Sequence, residues 1–155
     1  MAARNDPLPV FCFQVTFTDL SPAPSDAFFK SVGGLRYETE VIPVRAGGAN
    51  DTTYQLVGAT KWSNLVLKQG FTGDGKLLAW RETWLSGTTM KRSGGTITQL
   101  DTAFQPRAQW QWFGGWPCKW EIGEFDASKS EVAIETLELA INRLVFIPKP
   151  VPAVK

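Results

Sequence analysis

The chain has 155 residues, 43% of them apolar, and 16 Lys and Arg against 15 Asp and Glu give it a net charge of +1. That length and apolar content suit one domain with a real core and exclude disorder over most of the chain. The charge balance leaves no electrostatic footprint for a nucleic acid or an anionic membrane, and the absence of histidine removes the usual general base, imidazole metal ligand and pH switch.

The first ten residues, MAARNDPLPV, and the last eight, PKPVPAVK, are Pro-rich or polar. They predict loose termini, about 1–9 and 148–155, around a single domain spanning 1–155. The first strand signal follows, with Phe11, Phe13, Val15 and Phe17 alternating with Cys12, Gln14 and Thr16. A second has Leu35, Tyr37, Thr39 and Val41 alternating with Arg36, Glu38 and Glu40. A period of two predicts one buried and one wet face for each. Next comes PVRAGGANDTT, residues 43–53, a long exposed loop made pliable by Gly47, Gly48 and Asn50 and longer than a tight hairpin needs. Strand signals resume at 53–58 and 62–71.

One helix is expected over about residues 74–86. Asp74 can cap it, Leu77, Trp80, Trp84 and Leu85 recur at helical spacing, and Gly87 sits where a terminal glycine belongs. The aromatic face then docks on a sheet. Strands are expected again at 95–101 and 107–113.

The segment QWQWFGGWPCKWE, residues 109–121, holds four of the seven tryptophans. Trp110, Trp112, Trp116, Cys118, Trp120 and Ile122 share one parity, while the other is mainly polar. A platform for bases interleaves aromatics with Arg and Lys on one face; here only Lys119 is near, on the opposite parity. Core packing is the expectation for Trp80, Trp84, Trp110, Trp112, Trp116 and Trp120. Gly114, Gly115 and Pro117 must kink or bulge the segment. The last run, EVAIETLELAINRLVF, is open. Ile134, Leu137, Ile141, Leu144 and Val145 fit a helix, which periodicity favours. Val132 and Ile134 followed by Leu137, Leu139 and Ile141 fit a strand with one change of face, as at a bulge.

No chemistry emerges. Without histidine, Ser-His and Cys-His pairs are impossible. Cys12 and Cys118 are too few for a disulfide framework and read as reduced and mostly buried. Cys118 beside Lys119 would be an activated thiol only if it were not set among indoles. Glu38 and Glu40 lie on the polar parity of their strand, so they read as a solvated or interface face, and Glu121/Glu124 form no better acid pair. Neither Gly47-Gly48 nor TGDGK completes a phosphate loop, and no cluster has metal-ligand spacing. No enzyme activity, cofactor or metal is expected. No signal-peptide core and no membrane-length apolar run is seen, so the expectation is a protein made and assembled in the cytoplasm.

The order of several short pieces carries a resemblance: FFKSVGGL, RAGGAN, NLVLKQG, LLAWRETWLSG, KRSGGTITQLD, WPCKW and EVAIETLELA. Together, over roughly residues 8–146, they resemble the tail-tube proteins of contractile phage tails and extracellular contractile injection systems. The resemblance implies a mainly β subunit, a tail-tube-type β-sandwich or barrel with one flanking helix, and it turns the C-terminal run to strand. It makes WPCKW a strand-turn-strand piece. It implies homo-hexameric rings stacked into a hollow tube, with sheath, baseplate and tube-terminating proteins as partners. The lumen would carry effector protein or DNA, in a phage-like particle either released or anchored to its host. The loop carrying Arg45, Gly47, Gly48 and Asn50 would reach a neighbouring subunit. The rival expectation is a monomeric β-barrel binding single-stranded nucleic acid or a small ligand through its aromatics.

Overall fold

The computed structural model describes residues 13–18, 29–48, 51–71, 73, 75–87 and 91–148. Among these residues nine strands and one helix run in the order β1 (Phe13–Phe17), β2 (Ser31–Gly33), β3 (Tyr37–Arg45), β4 (Thr53–Trp62), β5 (Leu65–Gly70), α1 (Lys76–Ser86), β6 (Ser93–Leu100), β7 (Pro106–Ile122), β8 (Ile134–Ala140) and β9 (Arg143–Pro148). All strand pairings among the described residues are antiparallel. The mainly β architecture with one helix is as the resemblance implied.

β7 organises the fold. Its first part, to Gly115, pairs with β6 on one side and β9 on the other, and its last part, from Trp116, pairs with β8. β1 extends the first half beyond β6, and β5 and then β2 extend the second beyond β8. The sheet is open, ending at β1 and β2. Both halves contribute to one core: Val15, Phe17, Ile97, Trp112 and Leu144 from the first, Leu65, Leu67, Leu137 and Leu139 from the second.

The expected strand-turn-strand at WPCKW is instead one 17-residue strand. Gly114 takes a left-handed φ of 64° and the register shifts again between Pro117 and Lys119. Each irregularity changes which parity faces inward, so Trp112, then Gly115 and Pro117, are buried, and beyond the second shift Trp120 packs on the core. The strand expected at 107–113 is therefore the front of a longer one, because glycine at 114 bends the backbone without ending its pairing.

The C-terminal run forms β8 and β9, against its helical periodicity. No bulge changes the face of β8, whose register with β5 is unbroken from Ile134 to Leu139. The core parity instead takes a carboxylate: Glu135, 3% exposed, lies in line with Leu137 and Leu139. It accepts from Gln69 Nε2 at 2.8 Å and Trp120 Nε1 at 2.6 Å, which offsets its desolvation. Val132 lies before the strand and is exposed.

α1 starts at Lys76, with Gly75 as its cap residue at φ 64° and no side-chain cap; Asp74 lies outside the described residues. Gly87 ends it at φ 68°, as expected of a C-terminal glycine. Leu77 and Trp80 are buried in the core while Leu85 is exposed. The indole N–H groups of Trp80 and Trp84 both donate to the Lys91 carbonyl at 3.2 Å, tying the helix to the approach to β6.

The strand expected from Phe11 to Phe17 is seen from Phe13, since residues 11 and 12 are not described. Those expected at 62–71 and 95–101 run from Leu65 to Gly70 and from Ser93 to Leu100, and that expected at 53–58 continues to Trp62. Of the termini expected to be loose, only Pro148 is described, and it ends β9.

Candidate functional site

Among the described residues β3 and β4 pair only with each other. They leave the main sheet at a fixed base. Arg36 N–H donates to the Gly34 carbonyl at 2.8 Å, Ser63 N–H donates to the Arg36 carbonyl at 3.1 Å, and Arg36 Nε donates to Ser63 Oγ at 2.9 Å. Gly34, at φ 84°, lies so close to the Asn64 carbonyl that a methyl group there would overlap it. From this base the register runs from Tyr37↔Trp62 to Arg45↔Thr53, with one bulge between Thr39 and Val41. Tyr37 and Trp62 brace the base, ring centroids 5.4 Å apart.

Beyond the bulge the hairpin carries apolar side chains on both faces, with Gln55, Arg45 and Thr53 sharing the face of Val41 and Val57. Val41 opposes Val57 on one face; Ile42 opposes Leu56 and Val44 opposes Tyr54 on the other. All six are exposed, Val57 to 85%. The expectation of one buried face for Tyr37, Thr39 and Val41 is therefore corrected: Tyr37 and Val41 are exposed, because nothing among the described residues covers this hairpin. Leu35, in the base before β3, is exposed as well. A two-stranded hairpin is marginal in water on its own, and a contiguous exposed apolar surface marks an interaction site.

The loop expected over 43–53 is shorter, because Pro43–Arg45 complete β3 and Thr53 begins β4. Arg45 closes the ladder opposite Thr53, Gly47 and Gly48 are exposed in the turn with Gly48 at φ 91°, and Asn50 lies outside the described residues. The apolar residues of the arm itself were missed by sequence reasoning. Their signal is the pair of runs VIPV and YQLV, apolar on both parities, which reads equally as a strand covered on both faces.

The indoles fall into distinct environments. Trp112 is fully buried and Trp80 nearly so, and Trp84, Trp110 and Trp120 are half-buried against the core. Trp116 stacks with Trp84 at 5.6 Å and Trp110 with Phe146 at 5.4 Å. No shared stripe of indoles is presented to solvent, since the two irregularities of β7 divide them.

Cys118 is exposed, which corrects the expectation of a buried thiol; Cys12 is not described. Partial shielding of its sulfur, and then the Glu138 carboxylate, push the thiol above its ordinary value. It donates to the Glu138 carbonyl at 3.3 Å. Glu38, Glu40, Glu121 and Glu124 are all exposed, and Glu121 pairs with Lys119 at 3.3 Å. Among the described residues no group of His, Cys, Asp and Glu is arranged to hold a metal, and no helix is long and apolar enough to cross a membrane.

A polar cluster braces the β6–β7 turn. Asp101 Oδ1 accepts from the Ala103 and Gln105 amides, each at 2.9 Å, and Oδ2 accepts from Arg107 Nε at 2.7 Å. The Gln105 amide, then the Arg107 guanidinium, hold the Asp101 carboxyl below its ordinary range. This holds Phe104 at a φ of 58°, a left-handed conformation rare for an aromatic residue, with its ring exposed.

Comparison with known proteins fits this architecture. Residues 9–145 match the family described as T4-like virus tail tube protein gp19. A chain of the anti-feeding prophage baseplate structure, solved by cryo-EM with 6-fold symmetrisation, is 25% identical, with a TM-score of 0.84 over 94% of this chain and 98% of that one. A chain of the extended PVC sheath–tube complex, an extracellular contractile injection system, is 23% identical, with a TM-score of 0.79 over 94% of each chain. Hcp1 from Flavobacterium johnsoniae shares the fold more distantly, at 14% identity and a TM-score of 0.52 over 90% of this chain and 97% of that one. No curated protein sequence matches. An open, mainly β subunit with one helix and an uncovered apolar hairpin, matched by that family model over nearly its whole length, belongs to the T4-like tail tube protein family.

Proposed function

We propose that this chain assembles as stacked homo-hexameric rings into the rigid inner tube of a contractile injection particle or phage-like tail. The β3–β4 arm is the observation that carries the proposal. Its distal half carries uncovered apolar side chains on both faces, Ile42, Val44, Tyr54 and Leu56 on one and Val41 and Val57 on the other, so it is stabilised when other surfaces cover it. A second copy of the chain supplies such surfaces through a head-to-tail contact, and heterologous contacts of that kind generate rings and filaments. The six-fold symmetrisation of the anti-feeding prophage structure it resembles supports six copies per ring. At the tip, Arg45, Gly47, Gly48 and Asn50 are assigned to the same inter-subunit contact.

The function is mechanical, with no catalysis and no cofactor. The tube is a conduit for effector protein or DNA, driven through a target envelope by contraction of a surrounding sheath. Sheath, baseplate and tube-terminating proteins of the same particle are its partners, and assembly takes place in the cytoplasm. Negative-stain microscopy of the concentrated protein, alone and with a baseplate nucleus, tests this. Rings or tubes of uniform bore are the expected result. A persistent monomer in both samples that binds oligonucleotide at physiological salt would overturn it in favour of a ligand-binding barrel.

A further inference from the structure

The β3–β4 arm is the outer end of the β2–β5 ladder. β2 pairs with β5 as far as Gly33↔Val66, and β3 pairs with β4 from Tyr37↔Trp62. Gly33 to Tyr37 is a step of four residues, and so is Trp62 to Val66, so neither strand gains or loses a residue between the two ladders. The arm is thus turned by a kink in one continuous hairpin and not hung on a loop. Gly34 supplies the kink, with φ 84° and the Asn64 carbonyl packed against it. A kink held only by its own two strands leaves an arm free to swing. Asn64 ties it down. Its Nδ2 donates to Glu138 Oε1 on β8 at 2.7 Å and lies 3.8 Å from Cys118 Sγ on β7. Among the described residues, every side-chain hydrogen bond leading from residues 34–64 to β7 or β8 starts at Asn64. Above the kink the stalk is stiff. Tyr37 packs on Trp62, Glu38 opposes Lys61, and Thr39 Oγ1 lies 2.9 Å from Thr60 Oγ1. At the bulge Gly58 fits so closely against the Glu40 carbonyl that a side chain would crowd it.

We propose that Asn64 and Glu138 are positioning residues for assembly: their hydrogen bond fixes the angle of the arm to the sheet before a neighbouring subunit is met. This rests on the tube reading above. The length of the arm makes the angle matter. β3 has nine residues, about 30 Å at roughly 3.3 Å each, so a swing of about 10° at the kink carries the tip about 5 Å, one strand spacing. An arm displaced by a strand's width meets its neighbour out of register, and the error recurs at every contact because each subunit of each ring repeats it. An arm aimed in advance also loses less orientational freedom when it docks. The acceptor is a carboxylate, the stronger kind of partner for an amide donor.

Exchanging the roles of the two residues tests this. Asn64→Asp sets two carboxylates at hydrogen-bonding distance and breaks the tie. Adding Glu138→Gln restores a donor and an acceptor with the direction reversed, whereas Glu138→Gln alone leaves Asn64 an acceptor. Asn64 is exposed, so none of these changes disturbs the core. Two readouts are taken: tube yield by negative-stain microscopy, and amide residual dipolar couplings of dilute, unassembled subunits, which report how the arm is oriented against the main sheet. Losing a hydrogen bond to a charged group at so exposed a site shifts the equilibrium away from the aimed arm by about five- to tenfold. Asn64→Asp should therefore scale down the couplings of Tyr37–Thr39 and Thr60–Trp62, leave those of β6, β7 and β8 unchanged, and lower tube yield by about that factor or more. Glu138→Gln alone should behave like the unmodified protein, and the double variant should regain both readouts. Unchanged arm couplings in Asn64→Asp, or normal tubes from it, would overturn the proposal. So would a double variant that stays defective, because the new charge at position 64 and not the lost bond would then be the cause. Failure of the unmodified protein to form tubes strikes the tube reading alone, since the couplings of the free subunit still decide whether the bond aims the arm.

Discussion

Replacing Trp112 by alanine probes the point where the halves of the sheet meet. Its ring is fully buried. It makes an edge-on contact with Phe17 at 5.5 Å and covers Gly95, where a methyl group would overlap it. Trp→Ala in a core costs about 3–5 kcal/mol, and loss of the aromatic pair makes the upper end of that range the expectation. Stability of a domain is about 5–15 kcal/mol, so the variant loses a third or more of it. For a chain of this length each kcal/mol lowers the melting temperature by about 2–4 °C, so a drop of about 10–20 °C follows. The indole N–H finds no hydrogen-bond partner among the described residues, so Trp112→Phe, which removes that donor with part of the ring, should cost far less than the alanine. The assay is thermal melting by circular dichroism on the unassembled subunit, so that ring contacts do not contribute. A Trp112→Ala subunit melting within about 1 °C of the unmodified protein, a shift of at most about 0.5 kcal/mol as is typical of a surface site, would refute the core assignment.

Three further outcomes are expected. Replacing residues 46–52 by a two-residue Asn-Gly turn keeps the Arg45↔Thr53 pairing and shortens loop closure, a stabilisation of about 1 kcal/mol, so the melt should hold while microscopy shows tubes lost; normal tubes would remove Arg45, Gly47, Gly48 and Asn50 from the interface, and Arg45→Ala should weaken assembly less than the shortening does. Gly95→Ala forces a methyl group against the Trp112 ring and the Thr16 carbonyl, an overpacking cost of about 1–3 kcal/mol that a melt of the free subunit would detect. For Asp101, the carboxyl is held below its ordinary value of 3.8, so its stabilising contribution is complete above the unfolded value and is lost as pH falls through the lower folded one; an NMR titration should show that depressed midpoint, and Arg107→Ala should move it upward.

Much of the strand pattern was legible because alternation reports burial directly, as at Phe13, Val15 and Phe17. Its failures are equally physical. Val41, Ile42, Val44, Leu56 and Val57 look in sequence like strands covered on both faces, and only the absence of a covering layer distinguishes an arm from a core. At Glu135 a carboxylate holds a core position because Gln69 and Trp120 meet it there, partners 66 and 15 residues away that no local pattern reveals. That acid split the apolar alternation of the last run and let a helical spacing show through. The outward Gln and Thr of β1, β6 and β7 were visible as a polar parity, but their alignment into rows depends on register between distant strands.

The course of β7 bears on how the subunit yields under load. One continuous strand belongs to both halves of the sheet, so a pull that separates them runs along its covalent backbone before it strips a hydrogen-bonded ladder. The core at Trp112 is shared in the same way, leaving neither half a hydrophobic interior of its own. A subunit built like this has no weak seam along which to open in stages. Stretched between two fixed points, it should resist until the β7 ladders shear and then unfold in one step.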